Sequence, residues 1–175
     1  RNPLETLKNI PLNIREVKPH FILSVPALAK TFKKNIEQGI RAKGRLTWKL
    51  FKYGMKVTQI YYGDSNLDFK GFRYLLKPLV ALADKIIFSK VRANFGGSLR
   101  FFIGGGALLD KDLQKFYVGV GIPMFQGYGL SEATPVISSN GPELYRFGSS
   151  GKLVQPIELK ICDNEGKELP LGEMG

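Results

Sequence analysis

The chain has 175 residues, a hydrophobic fraction of 43% and a formal net charge of +11. This length suits one domain, and so apolar a composition excludes a wholly disordered chain. One cysteine and one histidine exclude an internal disulfide and a metal site built from several such residues. The excess of basic residues indicates an anionic partner, such as a nucleotide, coenzyme phosphates, a membrane surface or nucleic acid.

The sequence contains no apolar run of 18 residues and no signal peptide. It therefore predicts a cytoplasmic protein, or one bound peripherally at the inner face of a membrane. It begins at Arg1 without an initiator methionine and stops at Gly175, just after a turn-rich segment. From these ends we expect a piece of a longer chain.

The first forty residues predict short turns, a strand and a helix. Prolines at positions 3, 11 and 19 favour only short helical turns before residue 20. The apolar run Phe21–Val25 is typical of a buried strand, and Pro26 suits the first turn of a helix. That helix should bury one face, because its apolar residues recur every four positions: Leu28, Phe32, Ile36 and Ile40.

Residues 30–56 carry nine basic side chains and one acid, Glu37. We expect a second helix here, whose inner stripe is Leu46, Leu50, Tyr53, Val57 and Ile60, widened by Trp48, Phe51 and Met55. A basic amphipathic helix with tryptophan and phenylalanine can lie in a membrane interface. An ordinary solvated lysine face over a core stripe is the favoured alternative.

The middle of the chain predicts a βαβ unit with two glycine loops. A helical pattern over residues 72–94 should break at Pro78 and end at Gly96-Gly97. An apolar strand then runs into Gly104-Gly105-Gly106, and Asp110 should cap the following helix. A second strand, residues 124–126, leads to the loop of residues 127–132. In open α/β sheets, ligands lie beyond the carboxyl ends of the strands, where both loops fall.

The second loop, residues 127–132, combines several kinds of chemistry. Tyr128 can stack on a base, Ser131 can donate to a phosphate oxygen, and Glu132 is a hard ligand suited to Mg²⁺. Two structural alternatives stay open. The three glycines could form only a tight packing turn, and Ser131-Glu132 could form only a helix N-cap with an acidic first turn.

Beyond residue 135 we expect a short strand at residues 136–138 and a boundary near Gly148. Residues 157–161 alternate at period two, which is typical of a half-exposed strand, and Asp163–Gly166 predicts a hairpin turn. The expected fold is therefore α/β, with an open, mostly parallel sheet flanked by helices over residues 1–147. Residues 148–175 should start a small β-rich subdomain.

Three segments in order resemble the adenylate-forming enzymes. Residues 102–109 resemble their "SGGAPL" segment, residues 127–132 their "GYGLTE" motif and residues 148–161 their "GSVGKPLPGVEVKI" segment. Two further segments resemble long-chain fatty acyl-CoA synthetases: residues 18–26 are similar to "RPTxxxxVPR", and residues 84–92 to "DKLVFSKIR".

The resemblance implies a two-step reaction, in which ATP and a long-chain fatty acid give acyl-AMP and coenzyme A then takes the acyl group. Ser131 would contact the α-phosphate or the activated carboxylate, and Glu132 would hold Mg²⁺; these are the implied catalytic residues. Tyr128 would pack on adenine, between the flanking glycines Gly127 and Gly129. The first loop would line the adenine and acyl cleft with Gly104, Gly105, Gly106 and Ala107.

The sequence also departs from the family pattern. Ala27 stands where the family has arginine, Gly106 and Leu108 replace an alanine and a proline, and Ser131 replaces threonine. The family's phosphate loop should precede residue 1, and its ribose-binding aspartate and mobile lid should follow residue 175. We therefore expect the isolated chain to be catalytically incomplete.

Two other functions remain as alternatives. An acyl-AMP ligase could hand the acyl group to a carrier protein instead of coenzyme A. A non-catalytic basic module could bind a membrane surface or nucleic acid through residues 30–56. Nucleic acid is disfavoured, because the sequence contains no known binding motif and its basic residues interleave with core-type apolar spacing.

Overall fold

The computed structural model describes residues 3–65, 71–133 and 135–175. Its α-helices are α1 (Pro3–Val17), α2 (Pro26–Ala42), α3 (Arg45–Tyr62), α4 (Lys77–Ala83), α5 (Ser89–Ala93) and α6 (Lys111–Gly119). A 3₁₀ helix (Gly71–Leu76) precedes α4, and a π-helix (Asp84–Phe88) joins α4 to α5. The strands are β1 (Phe21–Ser24), β2 (Phe101–Gly104), β3 (Met124–Tyr128), β4 (Ser138–Ser139) and β5 (Lys152–Leu153).

Within the described residues the strands form one sheet in the order β1-β2-β3-β4-β5. The first three strands are parallel, with Ser24 beside Gly104 and Gly104 beside Gln126. Strands β4 and β5 add to the sheet antiparallel. An open, mostly parallel α/β sheet is thereby confirmed. The proposed boundary at residue 148 stays a prediction; β5, which lies beyond it, pairs with β4.

Aromatic side chains fill the core between the sheet and the helices. Phe102 of β2 is fully buried, and its ring meets Phe32 of α2, Phe95 and Tyr117 of α6. The hydroxyl of buried Tyr117 donates to the carbonyl of Ala29 at 2.7 Å. Burial raises the pKa of Tyr117 well above its ordinary value. The hydrogen bond therefore fixes α2 to α6 across the core.

The segment that resembles "DKLVFSKIR" has a structural role in this fold. Arg92 donates through both terminal nitrogens to the carboxylate of Asp84, at 2.5 and 2.8 Å. The bond to Asp84 raises the pKa of the Arg92 guanidinium. Arg92 also donates to the carbonyl of Val120 at 3.1 Å. The pair thus spans the π-helix and ties α5 to the turn that leads into β3.

The amino-terminal expectation of short turns is wrong, because α1 is one helix of 15 residues with Pro11 inside it. A proline removes one hydrogen bond from a helix, and tertiary contacts can offset that loss. Ile14 of α1 is buried in the main core, and Arg15 donates to Asn94. Strand β1 forms as expected, but it is not buried, since Leu23 is 71% exposed.

The inner face expected for α3 is confirmed only in part. Val57, Phe51 and Met55 are buried as expected, but Leu46 is 72% exposed and Tyr53 is 61% exposed. The exposed and the buried residues form two stripes on different sides of the helix. Close packing of α6 decides between them, because a Cβ added at Gly119 would lie 2.7 Å from the Met55 methyl group. The stripe of α2 is confirmed, with Phe32 and Ile40 buried.

Four further expectations have mixed outcomes. Pro78 lies in the first turn of α4, where the 3₁₀ helix ends, so the helical segment is divided near this proline as expected. The closing glycines cap α5 through a bond from the Gly97 amide to the Arg92 carbonyl. Residues 157–161 form no strand; the hairpin around the Asp163–Gly166 turn has one isolated bridge, Cys162 to Glu168. A strand requires a partner over its length, and this hairpin pairs only next to its turn.

Candidate functional site

Three parallel strands end at one edge of the sheet, which we call the carboxyl edge. It comprises Ser24, Gly104 and residues 127–128, together with the loops that follow β2 and β3. The amide of Gly105 donates to the carbonyl of Ser24 at 3.4 Å. The two glycine loops that the sequence singles out therefore lie side by side, as the βαβ pattern predicts.

Buried Gln126 of β3 joins the two loops. Its side-chain oxygen accepts from the amide of Leu109 at 2.7 Å, and its side-chain nitrogen donates to the carbonyl of Ala107 at 3.4 Å. A buried amide that lost these partners would be costly, so the bonds hold residues 107–109 against β3. Sequence reasoning missed this role, although a glutamine directly after the apolar Met124-Phe125 was a usable signal.

A second buried amide, Asn140, fixes the loop after β3 from the other side. Its nitrogen donates to the carbonyls of Gln126 and Ser149, at 3.2 and 2.7 Å, and its oxygen accepts from the Arg146 amide at 2.9 Å. Sequence reasoning missed Asn140 too, because Asn in a segment rich in Gly and Pro is typical of an exposed loop. The carboxyl edge is thus held by two buried amides.

The loop glycines differ in whether the backbone and its neighbours would allow a side chain at that position. A Cβ at Gly129 would lie 1.7 Å from the carbonyl oxygen of Pro135, and Gly106 has a φ of +79°. The fold itself requires glycine at both positions. A Cβ at Gly105 would meet no atom within 4 Å, and one at Gly127 would make ordinary contacts at 3.6 Å. The fold itself therefore does not require glycine at these two positions.

Three polar side chains lie at this edge, one at the end of β3 and two in the loop that follows it. Tyr128 is 45% exposed, and Ser131 and Glu132 are exposed in a 3₁₀ turn (Ser131–Ala133). Within the described part of the chain, Ser131 and Glu132 have no side-chain hydrogen bond or ion pair. The alternative in which Ser131 caps a helix and Glu132 lies in its acidic first turn therefore does not form. Both groups are available to an incoming phosphate or cation.

The donor set fits Mg²⁺ only in part. Glu132 supplies one carboxylate, and the described residues contain no group of three or more His, Cys, Asp or Glu side chains placed to hold a metal. Mg²⁺ is commonly held by one or two carboxylates together with substrate phosphates and water. At this edge, Glu132 is a carboxylate that could hold such a metal together with substrate phosphates.

Away from this edge, the described residues contain no helix long and apolar enough to cross a membrane. The exposed side of α3 instead combines apolar side chains with lysines. We call it the α3 face; it consists of Leu46, Lys49, Leu50, Lys52, Tyr53, Lys56 and Ile60, all of them exposed.

Known proteins similar to this chain are ligases. A long-chain-fatty-acid–CoA ligase of Saccharomyces cerevisiae is 30% identical over 90% of this chain and 21% of its own length. A chloroplastic long-chain-fatty-acid–[acyl-carrier-protein] ligase of Arabidopsis thaliana is 30% identical over 93% of this chain and 26% of its own length. The crystal structure of an anthranilate CoA ligase with anthranoyl-AMP shares the fold, with a TM-score of 0.54 and 21% identity over 95% of this chain and 22% of that one.

The chain spans about a quarter of the length of the curated relatives that it matches. The family of AMP-binding enzymes matches residues 3–175, which is almost the whole chain. This match includes the parallel strands, the two glycine loops and the carboxyl edge. The chain therefore belongs to the AMP-binding enzyme family.

Proposed function

We propose that this chain forms part of the adenylation site of a long-chain fatty acid–CoA ligase. The observation that carries the proposal is the carboxyl edge, where exposed Tyr128, Ser131 and Glu132 lie beside Gly105 and Gly127, two positions at which the fold itself does not require glycine. A fatty acid carboxylate would attack the α-phosphate of ATP, releasing pyrophosphate and giving acyl-AMP. The thiol of coenzyme A would then displace AMP.

Each side chain has a proposed part in that chemistry. Tyr128 stacks on the adenine, with Gly105 and Gly127 giving room beside it. Ser131 donates its hydroxyl proton to an α-phosphate oxygen or to the activated carboxylate. Glu132 holds Mg²⁺, which when bound neutralises phosphate charge. Gly104, Gly106, Ala107 and Gly129 shape the loops around the nucleotide, and Gln126 positions the first loop.

The test is fatty-acid-dependent exchange of pyrophosphate into ATP, measured on the protein at full length. We expect Glu132→Ala to lower exchange about 100-fold, since a bound metal ion stabilises developing charge strongly. Tyr128→Ala should raise the KM for ATP, and Tyr128→Phe should restore it because the ring is kept. Glu158→Ala, which removes another exposed carboxylate, is the control and should leave exchange unchanged.

Two results would count against the proposal in different ways. Exchange that Glu132→Ala leaves intact would show that the roles of these residues are wrong. If the wild-type protein shows no exchange with any fatty acid, the proposal that it is a fatty acid ligase is wrong.

The acceptor is a separate proposal, because the similar proteins include both a CoA ligase and an acyl-carrier-protein ligase. We propose coenzyme A. Preformed acyl-AMP should give acyl-CoA when coenzyme A is added, and nothing when a carrier protein with its phosphopantetheine thiol is added. The reverse result would assign the carrier protein.

We further propose that the protein is cytoplasmic and contacts the inner face of a membrane through residues 30–56. The α3 face supports this, since exposed Leu46, Leu50 and Tyr53 alternate with lysines, a pattern suited to an anionic lipid interface. Sedimentation with phosphatidylglycerol vesicles should carry the protein down at low salt. Lys49→Glu/Lys52→Glu should abolish that binding, and equal binding to neutral phosphatidylcholine would contradict it.

A further inference from the structure

A groove of about 630 Å³ lies among the helices, and none of its lining residues belongs to the glycine loops. We call it the helical groove. Its floor consists of buried apolar side chains from α2, the π-helix, α5 and the turn after α5: Phe32, Ile40, Ile87, Val91 and Phe95. This volume falls in the range of about 300–1,000 Å³ that small-molecule sites occupy.

The rim of the helical groove is cationic. Arg15, Lys43 and Lys90 line it, and no Asp or Glu is among its described lining residues. Lys43 and Lys90 are exposed and make no ion pair within the described part of the chain. The apolar floor and the cationic rim together match an amphiphile with an apolar tail and an anionic head.

One rim cation is held in place before any ligand arrives. Arg15 donates to both the carbonyl and the side-chain oxygen of Asn94, at 3.1 and 2.7 Å, and Asn94 donates in turn to the carbonyl of Lys90 at 3.2 Å. A guanidinium has five N–H donors, so three remain for an anionic group. Neither bond neutralises its charge, because Asn94 is uncharged.

Two further features of the backbone lie at the groove. Gly39 lies in the interior of α2 and lines the groove, and a Cβ built there meets no atom within 4 Å. Glycine in a helix interior costs stability relative to alanine. The π-helix, an uncommon element that is frequent at functional sites, brings Ile86 and Ile87 to the wall.

We propose that the helical groove binds one long-chain fatty acid anion, as a second site separate from the carboxyl edge. The tail lies on the apolar floor, and the carboxylate lies at the rim between Arg15, Lys43 and Lys90. A carboxylate requires such partners, because burying it unpaired is costly. This site rests on the groove alone and stands whether or not the carboxyl edge carries out adenylation.

The test is calorimetric titration of the protein with monomeric fatty acids of increasing length, without ATP. We expect binding that tightens about fourfold for each added methylene until the groove is filled. Gly39→Phe should place a ring in the groove and weaken binding of laurate at least about tenfold. Gly39→Ala, which adds only a methyl group at the same position, is the matched control and should bind laurate as the wild type does.

The rim is tested separately from the volume. Lys43→Ala/Lys90→Ala should weaken binding of laurate roughly fivefold, since exposed ion pairs are individually weak. The same change should leave binding of methyl laurate unaltered, because the ester has no charge. This double variant, titrated with both ligands, decides the question even if Gly39→Phe does not fold, which a thermal melt would reveal.

Several results would overturn the proposal. No binding of fatty acid by the wild type would do so, as would full binding by folded Gly39→Phe. Loss of binding in Glu132→Ala or Tyr128→Ala would place the fatty acid at the carboxyl edge instead. Binding of vesicles that contain lysophosphatidylglycerol, without binding of free laurate, would show that the groove receives a membrane lipid. A dimer that Gly39→Phe dissociates would show that a second copy fills it.

Discussion

The carboxyl edge and the helical groove present different surfaces to a ligand. At the carboxyl edge, glycine loops are held by two buried amides, Gln126 and Asn140, and the exposed groups are polar. In the helical groove the floor is aromatic and aliphatic, and the charge lies only at the rim. The first suits a nucleotide with its phosphates, and the second suits an apolar chain with one anionic end.

The difference shows how each surface is built. The carboxyl edge depends on backbone turns and on hydrogen bonds between neighbouring strands. Adding one methyl group or removing one side chain there should therefore lower stability. The groove depends on the distance between helices that are far apart in sequence. Changes at the edge should therefore cost more stability than changes at the groove, and the four predictions below test that order.

The largest effect is expected from Gly129→Ala. Its Cβ would lie 1.7 Å from the carbonyl oxygen of Pro135, so the backbone must move. We expect a loss of about 3 kcal/mol in the free energy of unfolding, measured by urea denaturation. Gly127→Ala is the control, since its Cβ finds ordinary contacts at 3.6 Å, and it should unfold within about 1 kcal/mol of the wild type. Equal losses in the two variants would contradict this account of the edge.

The next effect is expected from Gln126→Ala. This change leaves the Leu109 amide without its partner inside the protein, which should cost about 2 kcal/mol of unfolding free energy. The amide of Leu109 should also exchange its hydrogen faster than in the wild type. Slow exchange of that amide in the variant would show that Gln126 does not hold the loop. Gln38→Ala, an exposed glutamine on α2, is the control.

Alkaline pH should lower the free energy of unfolding through Tyr117, which anchors α2 at one wall of the helical groove. Burial raises the pKa of Tyr117, whose hydroxyl anchors α2, while in the unfolded chain it titrates near its ordinary value of 10.0. Below pH 10 its stabilisation is fully present. Above pH 10 the unfolded chain loses the proton first, so the unfolding free energy should fall by up to about 1.4 kcal/mol per pH unit.

Tyr117→Phe isolates this effect from other tyrosines, because burial also raises the pKa of Tyr62 and Tyr145. Urea denaturation from pH 8 to pH 11 should give a shallower fall in the variant than in the wild type. Parallel curves for the two proteins would show that Tyr117 does not titrate on unfolding.

The smallest expected effect is a gain in stability. Gly39→Ala should raise the unfolding free energy by about 0.5–1 kcal/mol, because alanine costs less backbone entropy and its Cβ meets no atom. A loss of stability would mean that the groove is narrower than its geometry indicates. Gly119→Ala, on the buried side of α6, should lose stability, since its Cβ would lie 2.7 Å from the Met55 methyl group.

Much of the carboxyl edge could be predicted from residues close together in sequence. The Asp110 cap, the strands on either side of it and the two glycine loops follow from turn chemistry and short apolar runs. The βαβ pattern then places both loops at one edge. The contacts of Gln126 and Asn140 were not predicted, because their partners lie 6 to 19 residues away in segments whose path is set by the fold.

The sequence by itself determined the α/β class, the family and the position of the two glycine loops at one edge of the sheet, since each depends on local pattern or on motifs in order. Tertiary structure alone decided which stripe of α3 is buried. Both stripes repeat at helical spacing, and Gly119 admits Met55 while Leu46 and Tyr53 stay exposed. It also decided that α1, α2, α3, the π-helix and α5 enclose a groove, because packing between distant elements leaves no mark on local periodicity.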